Sequence, residues 1–394
     1  MDLKYANTGR LDVVDALRGF AIASILVLHN LEHFDYAFFP EYLPAWLQTI
    51  DKYFWDTMFF LFGGKSYSIF SLLFGFTFFI QDSHQQLKGN DFRGRFAWRL
   101  MWLFLFSVVN SVFFQGDILT FFAVFGLFLI PVCRLSDKWV LAIMIFLLLQ
   151  PYELGSLIAL GVNPDASYHM TTSSVWFHRT HEFFEGTSIP AMMRCDLTYG
   201  KWAVIQWNLE NGRMFQMPAL FMAGMLIGRR GLFVSSEESV SFWKKATLWG
   251  FLAFAVFYLL KNCNAEFFTR PEMNTIITKL FGFWSNLGFT ALLIGLFVSL
   301  YNLDSWKKAL NIFSPLGRMS LTNYVFSSVF GFFVYYGCGL GLYKYTGATM
   351  SFVIGLVLVT GLWWFCTLYG RNHKRGPLEQ IWHRLTWIES PWHK

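Results

Sequence analysis

The stretch RLDVVDALRGFAIASILVLHN, residues 10–30, begins with charged residues and ends as an apolar run. It predicts a helix on which Arg18 and His29, eleven positions apart, differ by about three turns plus 20°. These two ionisable side chains therefore share one face, about 16 Å apart along the axis. Asp15 lies one turn before Arg18, close enough to pair with it. The rest of the sequence is needed to interpret why an apolar helix carries these polar side chains.

The composition excludes an ordinary soluble domain. Only 14% of the 394 residues are charged and 55% are hydrophobic, whereas a soluble domain has about a quarter of its residues charged. The sequence therefore predicts an all-α, polytopic helical membrane protein. Its net charge of +6 gives no reason to expect a nucleic-acid partner, because the basic residues lie where membrane topology would place them.

Crossing the hydrocarbon layer takes about 20 apolar residues, and the chain offers about ten such segments. Most of the 31 lysines and arginines fall on one side of the resulting map, so both termini are expected in the cytoplasm. We expect one integral membrane domain over residues 1–394, with a long extracytoplasmic loop over 161–202 and a cytoplasmic amphipathic tail over 371–394. The expected transmembrane helices are about 14–32, 56–80, 96–115, 117–133, 138–160, 203–228, 241–260, 280–301, 319–340 and 349–370.

Ionisable groups inside a bilayer are costly unless they face protein or a water-filled cavity. The structural interpretation of Arg18 is that its side chain extends to the inner headgroups. The structural interpretation of His29 is that it is a hydrogen-bonded core residue. The functional interpretation is that both side chains face one hydrated passage through the helix bundle.

Six blocks of the chain place charged residues or glycines in apolar surroundings: LDVVDALRGFAIASILVLHN (11–30), GGKSYSIFSLLFGFTFFIQ (63–81), GDILTFFAVFGLFLI (116–130), MAGMLIGRRGLF (222–233), GRMSLTNY (317–324) and GPLEQIWHRLTW (376–387). In this order they resemble the YeiB-type family of bacterial membrane proteins (domain of unknown function 418). That family is a distant relative of the acyltransferase-3 superfamily and of heparan-α-glucosaminide N-acetyltransferase. The resemblance implies a multi-pass protein of the bacterial cytoplasmic (inner) membrane.

The resemblance also assigns a role to His29. In acyltransferase-3 relatives a histidine eleven positions after the motif arginine is thought to be catalytic, and His29 occupies that position. Many YeiB-type members carry asparagine there instead. Ser327 departs from the family, which often has glutamine at that position.

The expected catalytic residues are His29, Asp117 and Asp15. A histidine can accept and return a proton within one cycle because its pKa lies near the operating pH. Asp117 either orients His29 or takes part in proton handling. Its alternative is a structural cap, since a carboxylate at a helix N-terminus is favourable.

The expected donor is acyl-CoA, in the first place acetyl-CoA. Arg18 and Arg318 are both assigned to the cytoplasmic end, and the guanidinium fork suits phosphate, so the two could flank the pyrophosphate of coenzyme A. The alternative is that they only obey the positive-inside rule. The other expected donor-binding residues are Lys65, Asn323 and Tyr324.

Two common ligand motifs are missing. The Gly-Lys-Ser at Lys65 is not a phosphate-binding loop, because Phe59 stands where that motif requires glycine. His169, His178 and His181 lack both an HExxH motif and a cysteine pair, so we expect no metal.

Two functions remain open. The first is a membrane acyltransferase that moves an acyl group from cytoplasmic acyl-CoA to a glycan, a lipid-linked or a small-molecule acceptor at the outer face, with His29 as general base or acyl carrier. The second is a transporter or exporter of a small solute, since ionisable groups along a pathway also suit transport. No inverted repeat or paired broken helices are visible in the sequence. The expected partners are the lipid bilayer, acyl-CoA and an unidentified acceptor, with a homodimer as an option.

Overall fold

The computed structural model describes residues 11–35, 40, 42–163, 165, 168, 173–263 and 266–388. Within these ranges the chain is all-helical and contains no β-strand, which confirms the expected class. The first ten helices are α1 (Asp12–Leu31), α2 (Ala45–Phe62), α3 (Ser66–Leu87), α4 (Arg93–Ser111), α5 (Leu119–Gly126), α6 (Leu129–Val132), α7 (Asp137–Leu148), α8 (Pro151–Val162), α9 (Ser173–Glu185) and α10 (Ile189–Cys195). The others are α11 (Lys201–Glu210), α12 (Arg213–Arg229), α13 (Glu237–Asn262), α14 (Pro271–Tyr301), α15 (Asp304–Leu310), α16 (Ser314–Arg318), α17 (Ser320–Tyr335), α18 (Ala348–Asn372) and α19 (Pro377–Trp387).

Several helices are long and apolar enough to cross a membrane. By length and composition alone, three helical stretches qualify within the described residues: Ala45–Leu87, Pro271–Tyr301 and Ala348–Asn372. The pair α7 and α8, bent by 56°, adds a fourth if it forms one span. Each of the ten expected segments coincides with helix, but this criterion supports four spans at most.

Four of the expected spans are interrupted helices, including 117–133, where residues 127–128 separate α5 from α6. Residues 63–65 separate α2 from α3, and residues 211–212 separate α11 from α12. Gly64 and Gly212 have φ of 76° and 63°, a left-handed conformation that glycine adopts without steric cost. The break between α7 and α8 has Gln150 at φ 58°. The sequence analysis missed these breaks because each involves only two or three residues inside a long apolar run.

Helix α1 forms the centre of the bundle. Sixteen of its twenty residues are buried, and it contacts α2, α3, α14, α16, α17 and α18. The outer helices instead expose large apolar side chains, such as Trp249 and Leu259 on α13 and Val357 on α18. Apolar residues on the outside and ionisable residues on the central helix are what a protein surrounded by lipid requires.

The segments outside the expected spans are also partly helical. Residues 161–202, expected as a loop, contain α9 and α10, and the tail contains α19. In α19 the partly buried side chains of Leu378 and Trp382 pack against the main apolar core. The Trp382 indole donates a hydrogen bond to the Arg99 carbonyl oxygen at 3.0 Å. The tail is therefore a docked element that borders the cavity described next.

Candidate functional site

Two motif glycines bring the arginines of the first and fifth sequence blocks, Arg18 and Arg318, together. Helices α1 and α16 cross with so little separation that a Cβ on Gly19 would overlap the Phe313 carbonyl, and one on Gly317 would overlap the Asp15 carbonyl. Each glycine is adjacent in sequence to one of the two arginines. The close backbone approach, which only glycine allows, therefore places both guanidinium groups on the same side.

Asp15 lies between the two arginines. Its carboxylate is 3.3 Å from Arg18 Nη1 and 3.6 Å from Arg318 Nε. Arg18 also donates to Thr77 Oγ1 at 3.0 Å, and Arg318 pairs with Asp12 at 3.2 Å. Asp15, expected as catalytic, is fourteen residues before His29, or about 21 Å along the helix axis. It therefore positions the arginines and does not contact the histidine.

A cavity of about 450 Å³ opens beside these arginines, and we call it the Arg18 cavity. Basic and aromatic side chains dominate its wall. Glu379 on α19 is its acidic lining residue. The basic members are Arg18, His84, Lys88, Arg99, Arg318, Arg375 and His383, and the aromatic ones include Phe92, Trp382 and Trp387.

The tail helix α19 is held in place by Glu379. One carboxylate oxygen accepts from the backbone N–H groups of Leu321 and Thr322 at 2.8 and 3.1 Å, and the other accepts from Thr322 Oγ1 at 2.6 Å. These N–H groups are in the first turn of α17, where helical partners are lacking. Glu379 thus caps α17 from another helix and fixes α19 as a wall of the Arg18 cavity.

The electrostatics of this wall suit an anion. Burial, with the nearby Arg375 and Arg99 guanidinium groups, lowers the pKa of His383 from its ordinary value. The imidazole is therefore neutral at pH 7. Arg99 itself stacks on Trp382, with 3.5 Å between its guanidinium carbon and the ring centroid.

A second cavity, of about 640 Å³, opens beside the other end of α1, and we call it the His29 cavity. The His29 ring lies among aromatic rings, with centroid distances of 4.7 Å to Phe114, 5.6 Å to Phe34 and 6.1 Å to Tyr324. Its Nδ1 is buried and has no hydrogen-bond partner among the described residues. An imidazole without a fixed partner that faces a cavity suits proton transfer to a bound molecule.

His33, four residues later, has a different environment. It is fully buried, stacks on Tyr335 with 4.8 Å between centroids, and shares a hydrogen bond of 2.8 Å between its Nε2 and Ser351 Oγ. Only His29 of this pair lines a cavity. His33 is thus a structural residue and a natural control for His29.

Four charged residues that the site prediction missed line the His29 cavity with it: Glu32, Asp35, Arg213 and Lys261. The Arg213 guanidinium interacts electrostatically with both carboxylates and stacks on Trp207 at 4.0 Å. Glu32 follows His29 by one helical turn, which puts both on one face. Glu32 and Asp35 lie at the end of the first expected span, and Arg213 lies within the sixth, 203–228. Charged residues at these positions are the signal that could have indicated them.

The position of Asp35 requires a glycine at Gly116, the first residue of the Gly-Asp-Ile-Leu block. His33, Phe34 and Asp35 all have positive φ, from 47° to 71°, so the chain leaves α1 in a rare left-handed turn. This turn places Asp35 Oδ2 against Gly116, where any Cβ would overlap it. Gly116 is therefore required for the Asp35 carboxylate to occupy its place in the cavity wall.

Tyr324 borders both cavities. Its hydroxyl accepts a hydrogen bond from the Ile118 N–H at 3.2 Å, and its ring lies beside His29. The expected single passage from Arg18 to His29 is thus two cavities, with Tyr324 at their boundary. The sequence could not indicate this division, because it depends on where α17 meets the start of α5.

Asp117 serves as a cap in this structure. Its fully buried carboxylate accepts from Thr120 N at 3.2 Å and from Asn110 Nδ2 at 2.7 Å, and lies 3.5 Å from Lys201 Nζ. Neither Asp117 nor the Asn110–Lys201 pair that holds it is among the residues lining the two cavities. The structural alternative therefore accounts for Asp117.

The other expected donor-binding residues are distributed differently. Asn323 donates to the Leu316 carbonyl at 3.0 Å and accepts from Cys366 Sγ at 3.2 Å, and it lines neither cavity. Lys65 lines the His29 cavity, away from Arg18 and Arg318. Of the five expected donor-binding residues, Arg18, Arg318 and Tyr324 line the Arg18 cavity.

The histidines considered for a metal do not form a cluster in the described part of the chain. His178 and His181 lie 5.2 Å apart between ring centroids, whereas His169 is outside the described residues. No group of three or more potential metal-binding side chains is found among the residues described.

Two family models match separate parts of the chain. A family model described as "Heparan-alpha-glucosaminide N-acetyltransferase, catalytic" matches residues 10–176, and one described as "Protein of unknown function (DUF418)" matches residues 227–389. The uncharacterized protein YxaH of Bacillus subtilis (strain 168) is 25% identical, covering 96% of this chain and 94% of its own length. The uncharacterized protein YeiB of Escherichia coli (strain K12) is 25% identical over 95% of both chains. No solved structure gives a significant match. Over nearly its whole length, the chain is thus similar to the uncharacterized proteins YxaH and YeiB.

Proposed function

We propose that this protein is an integral membrane acyltransferase that takes an acyl group from acyl-CoA in the Arg18 cavity and transfers it to an acceptor in the His29 cavity. The observation that carries the proposal is the pair of cavities on α1. One is basic and aromatic, the other contains an unpartnered imidazole, and Tyr324 borders both. The match of residues 10–176 to an acetyltransferase family model adds support.

The Arg18 cavity has the chemistry that coenzyme A requires. Guanidinium forks such as those of Arg18 and Arg318 suit phosphate groups, and Arg375 adds a third cation to the same wall. Trp382 and Trp387 offer flat faces on which an adenine ring can stack. The pantetheine arm would then have to pass Tyr324 and cover the 16 Å or so that separate Arg18 from His29 along α1.

In the proposed reaction His29 acts as general base. One ring nitrogen takes the proton of the acceptor hydroxyl or amine while the acceptor atom attacks the thioester carbonyl. The carbon–sulfur bond breaks, the acyl group stays on the acceptor, and the thiolate of coenzyme A leaves with the proton that His29 returns. In the variant in which His29 carries the acyl group, the same bonds exchange in two steps.

The proposed setting is the bacterial cytoplasmic membrane, with about ten spans and both termini in the cytoplasm. Lys88, Arg99, Arg318 and Arg375 all lie at the Arg18 cavity. By the positive-inside rule this end would face the cytoplasm, where acyl-CoA is made. The His29 cavity would then lie towards the outer side.

The test is acyl transfer from labelled acetyl-CoA by protein in lipid nanodiscs that contain extracted envelope material as acceptor. His29→Ala should lower the transfer rate about 100-fold or more, the usual contribution of general acid–base catalysis. His33→Gln, which keeps a polar group beside Ser351, should retain the activity of any correctly folded fraction. Transfer by His29→Ala at the wild-type rate, from protein with the wild-type gel-filtration profile, would refute the mechanism.

One observation favours transport as the second candidate. Two of the interrupted helices, α2–α3 and α11–α12, border the His29 cavity through residues such as Lys65 and Arg213. Broken helices around a central site are a feature of transporters, and two cavities with a boundary between them suit alternating access. Uptake of a labelled solute into proteoliposomes without any acyl donor would support this candidate, and acyl transfer without such uptake would exclude it.

A further inference from the structure

A pair of lysines lies in the His29 cavity at a distance from the carboxylates. Lys65, at the break between α2 and α3, is 5% exposed, and its Nζ donates to the Phe60 carbonyl oxygen at 2.7 Å. Lys261, on the last turn of α13, lines the same cavity and is close enough for the two ammonium groups to interact electrostatically. Two like charges beside one cavity disfavour each other, and an anion bound between them would stabilise both.

The protein supplies no such anion in its described part. Neither lysine has an ion pair with a described carboxylate, whereas Lys279, on the neighbouring helix α14, pairs with Glu153 at 3.1 Å. Arg213, the other strong cation of the cavity, interacts with Glu32 and Asp35. The charge of the lysine pair is thus left for a bound molecule.

Helix α14 completes a binding surface opposite the lysines. Gly282, Ser285 and Asn286 all line the cavity, and the last two follow Gly282 by three and four residues, which puts each of them on the same helical side as Gly282. Gly282 lies beside the Lys261 stem, because a Cβ added there would be 3.6 Å from it, at van der Waals contact. Asn286 is exposed to the cavity and lies beside Gly64, whose added Cβ would be 3.6 Å from its Nδ2. An amide donor and a hydroxyl therefore face the same space as the two ammonium groups.

The cavity mouth here is apolar and aromatic. Phe60 and Tyr258 are 39% and 40% exposed, line the cavity and contact each other with 5.8 Å between ring centroids. The outer face of α13 exposes large apolar residues, whereas Lys261 lies at its end, the level at which lysines meet headgroups. An amphiphile could thus reach the lysines with its apolar part still outside the cavity.

We propose that Lys65 and Lys261 bind the phosphate group of the acceptor, so that the acceptor is a phosphate ester whose hydroxyl reaches His29. This inference rests on the proposed function for the role of the bound molecule, but the phosphate site itself does not depend on acyl transfer. A lipid headgroup and a soluble phosphate ester share this chemistry. The apolar mouth favours the lipid.

The test measures binding without any acyl donor. Protein purified in a neutral maltoside detergent is mixed with phosphatidylglycerol, and lipid retention is measured by native mass spectrometry. In parallel, the affinity for glycerol 3-phosphate is measured by calorimetry. The variants are Lys65→Gln, Lys261→Gln and Lys65→Arg, and the matched control is Lys245→Gln at the opposite end of α13, where the lysine is exposed.

Lys65→Gln and Lys261→Gln should each weaken binding of the true ligand about 10- to 100-fold, the usual effect of losing one charged hydrogen bond. Lys65→Arg should restore most of the affinity, and Lys245→Gln should leave it unchanged. Loss of phosphatidylglycerol retention alone would identify a lipid phosphate, and loss of glycerol 3-phosphate binding alone a soluble ester. Wild-type binding of both probes by Lys261→Gln, or no binding of either probe by the wild-type protein, would overturn the proposal. Phosphate binding by protein that shows no acyl transfer would leave this site intact and contradict only the proposed reaction.

Discussion

The crossing of α1 and α16 allows a quantitative test of how the Arg18 cavity is built. In the substitution Gly19→Ala the new Cβ would lie 1.8 Å from the Phe313 carbonyl oxygen and 3.0 Å from Gly317 N. Both are backbone atoms, so no side-chain rotation relieves the overlap. A Cβ contact below 3.0 Å is essentially never seen, so the helices must separate by at least about 1.2 Å (3.0 − 1.8).

This separation has an energetic and a geometric consequence. Overpacking costs about 1–3 kcal/mol, whereas alanine in place of glycine inside a helix gains about 0.5–1 kcal/mol. The expected net loss is therefore up to about 2.5 kcal/mol, with a central value of about 1 kcal/mol. The distance from Asp15 to Arg318, now 3.6 Å, would grow to as much as about 4.8 Å. At that distance the carboxylate no longer pairs with both arginines.

The assay is thermal unfolding in detergent, followed by the fluorescence of the 17 tryptophans, together with the affinity for coenzyme A. Gly19→Ala should melt several degrees lower and bind coenzyme A more weakly. The control is Gly361→Ala in α18, where an added Cβ meets nothing within 4 Å and the melting temperature should stay the same or rise. If Gly19→Ala unfolds at or above the wild-type temperature, the backbones of α1 and α16 are not in close contact at Gly19.

Three further predictions concern the same cavity. Asp15→Asn removes the carboxylate that Arg18 contacts, so coenzyme A should bind up to about tenfold tighter, a change of about 1.4 kcal/mol, while the protein melts at a lower temperature; weaker binding would contradict the arrangement. The lowered pKa of His383 implies a contribution to stability that is present above pH 6.5 and is lost as the pH falls below it. The melting temperature of the wild type should therefore fall more on acidification than that of His383→Asn, and parallel curves of melting temperature against pH would exclude this contribution. Glu379→Ala leaves the Thr322 N–H and hydroxyl without their acceptor, at a cost of about 1.5–3 kcal/mol, so α19 should become more accessible to trypsin, measured as faster cleavage in the tail; an unchanged cleavage rate would show that another contact holds it.

The first helix could be predicted closely from the sequence because its geometry is local. Its bounds, Asp12–Leu31, match the apolar run, and the contact between Arg18 and Asp15 at 3.3 Å follows from a spacing of three residues. The same holds for the helix of the amphipathic tail, which apolar residues at helical spacing predicted, although its docking on the bundle was not predicted. Periodicity of 3.6 residues is a property of the chain itself.

The charged partners across the bundle could not be predicted in this way. Glu379 meets Thr322 across 57 residues, and Arg213 faces Glu32 across an even longer separation. Without an alignment, nothing in the sequence connects such positions. The breaks at Gly64 and Gly212 were hidden for a related reason, since an isolated glycine in an apolar run also occurs in continuous helices.

The division of the expected passage at Tyr324 connects the first, third and fifth sequence blocks. The tyrosine is on α17, its hydroxyl accepts from the N–H of Ile118 at the start of α5, and its ring lies 6.1 Å from that of His29. Since Glu379 caps the first turn of the same helix, the tail, the start of α5 and His29 all contact α17. Any movement that joins the two cavities has to displace Tyr324. Acyl transfer requires the two cavities to be joined only while a thioester reaches His29. Transport requires that opening between the cavities to alternate with closure of the cavity on the other side.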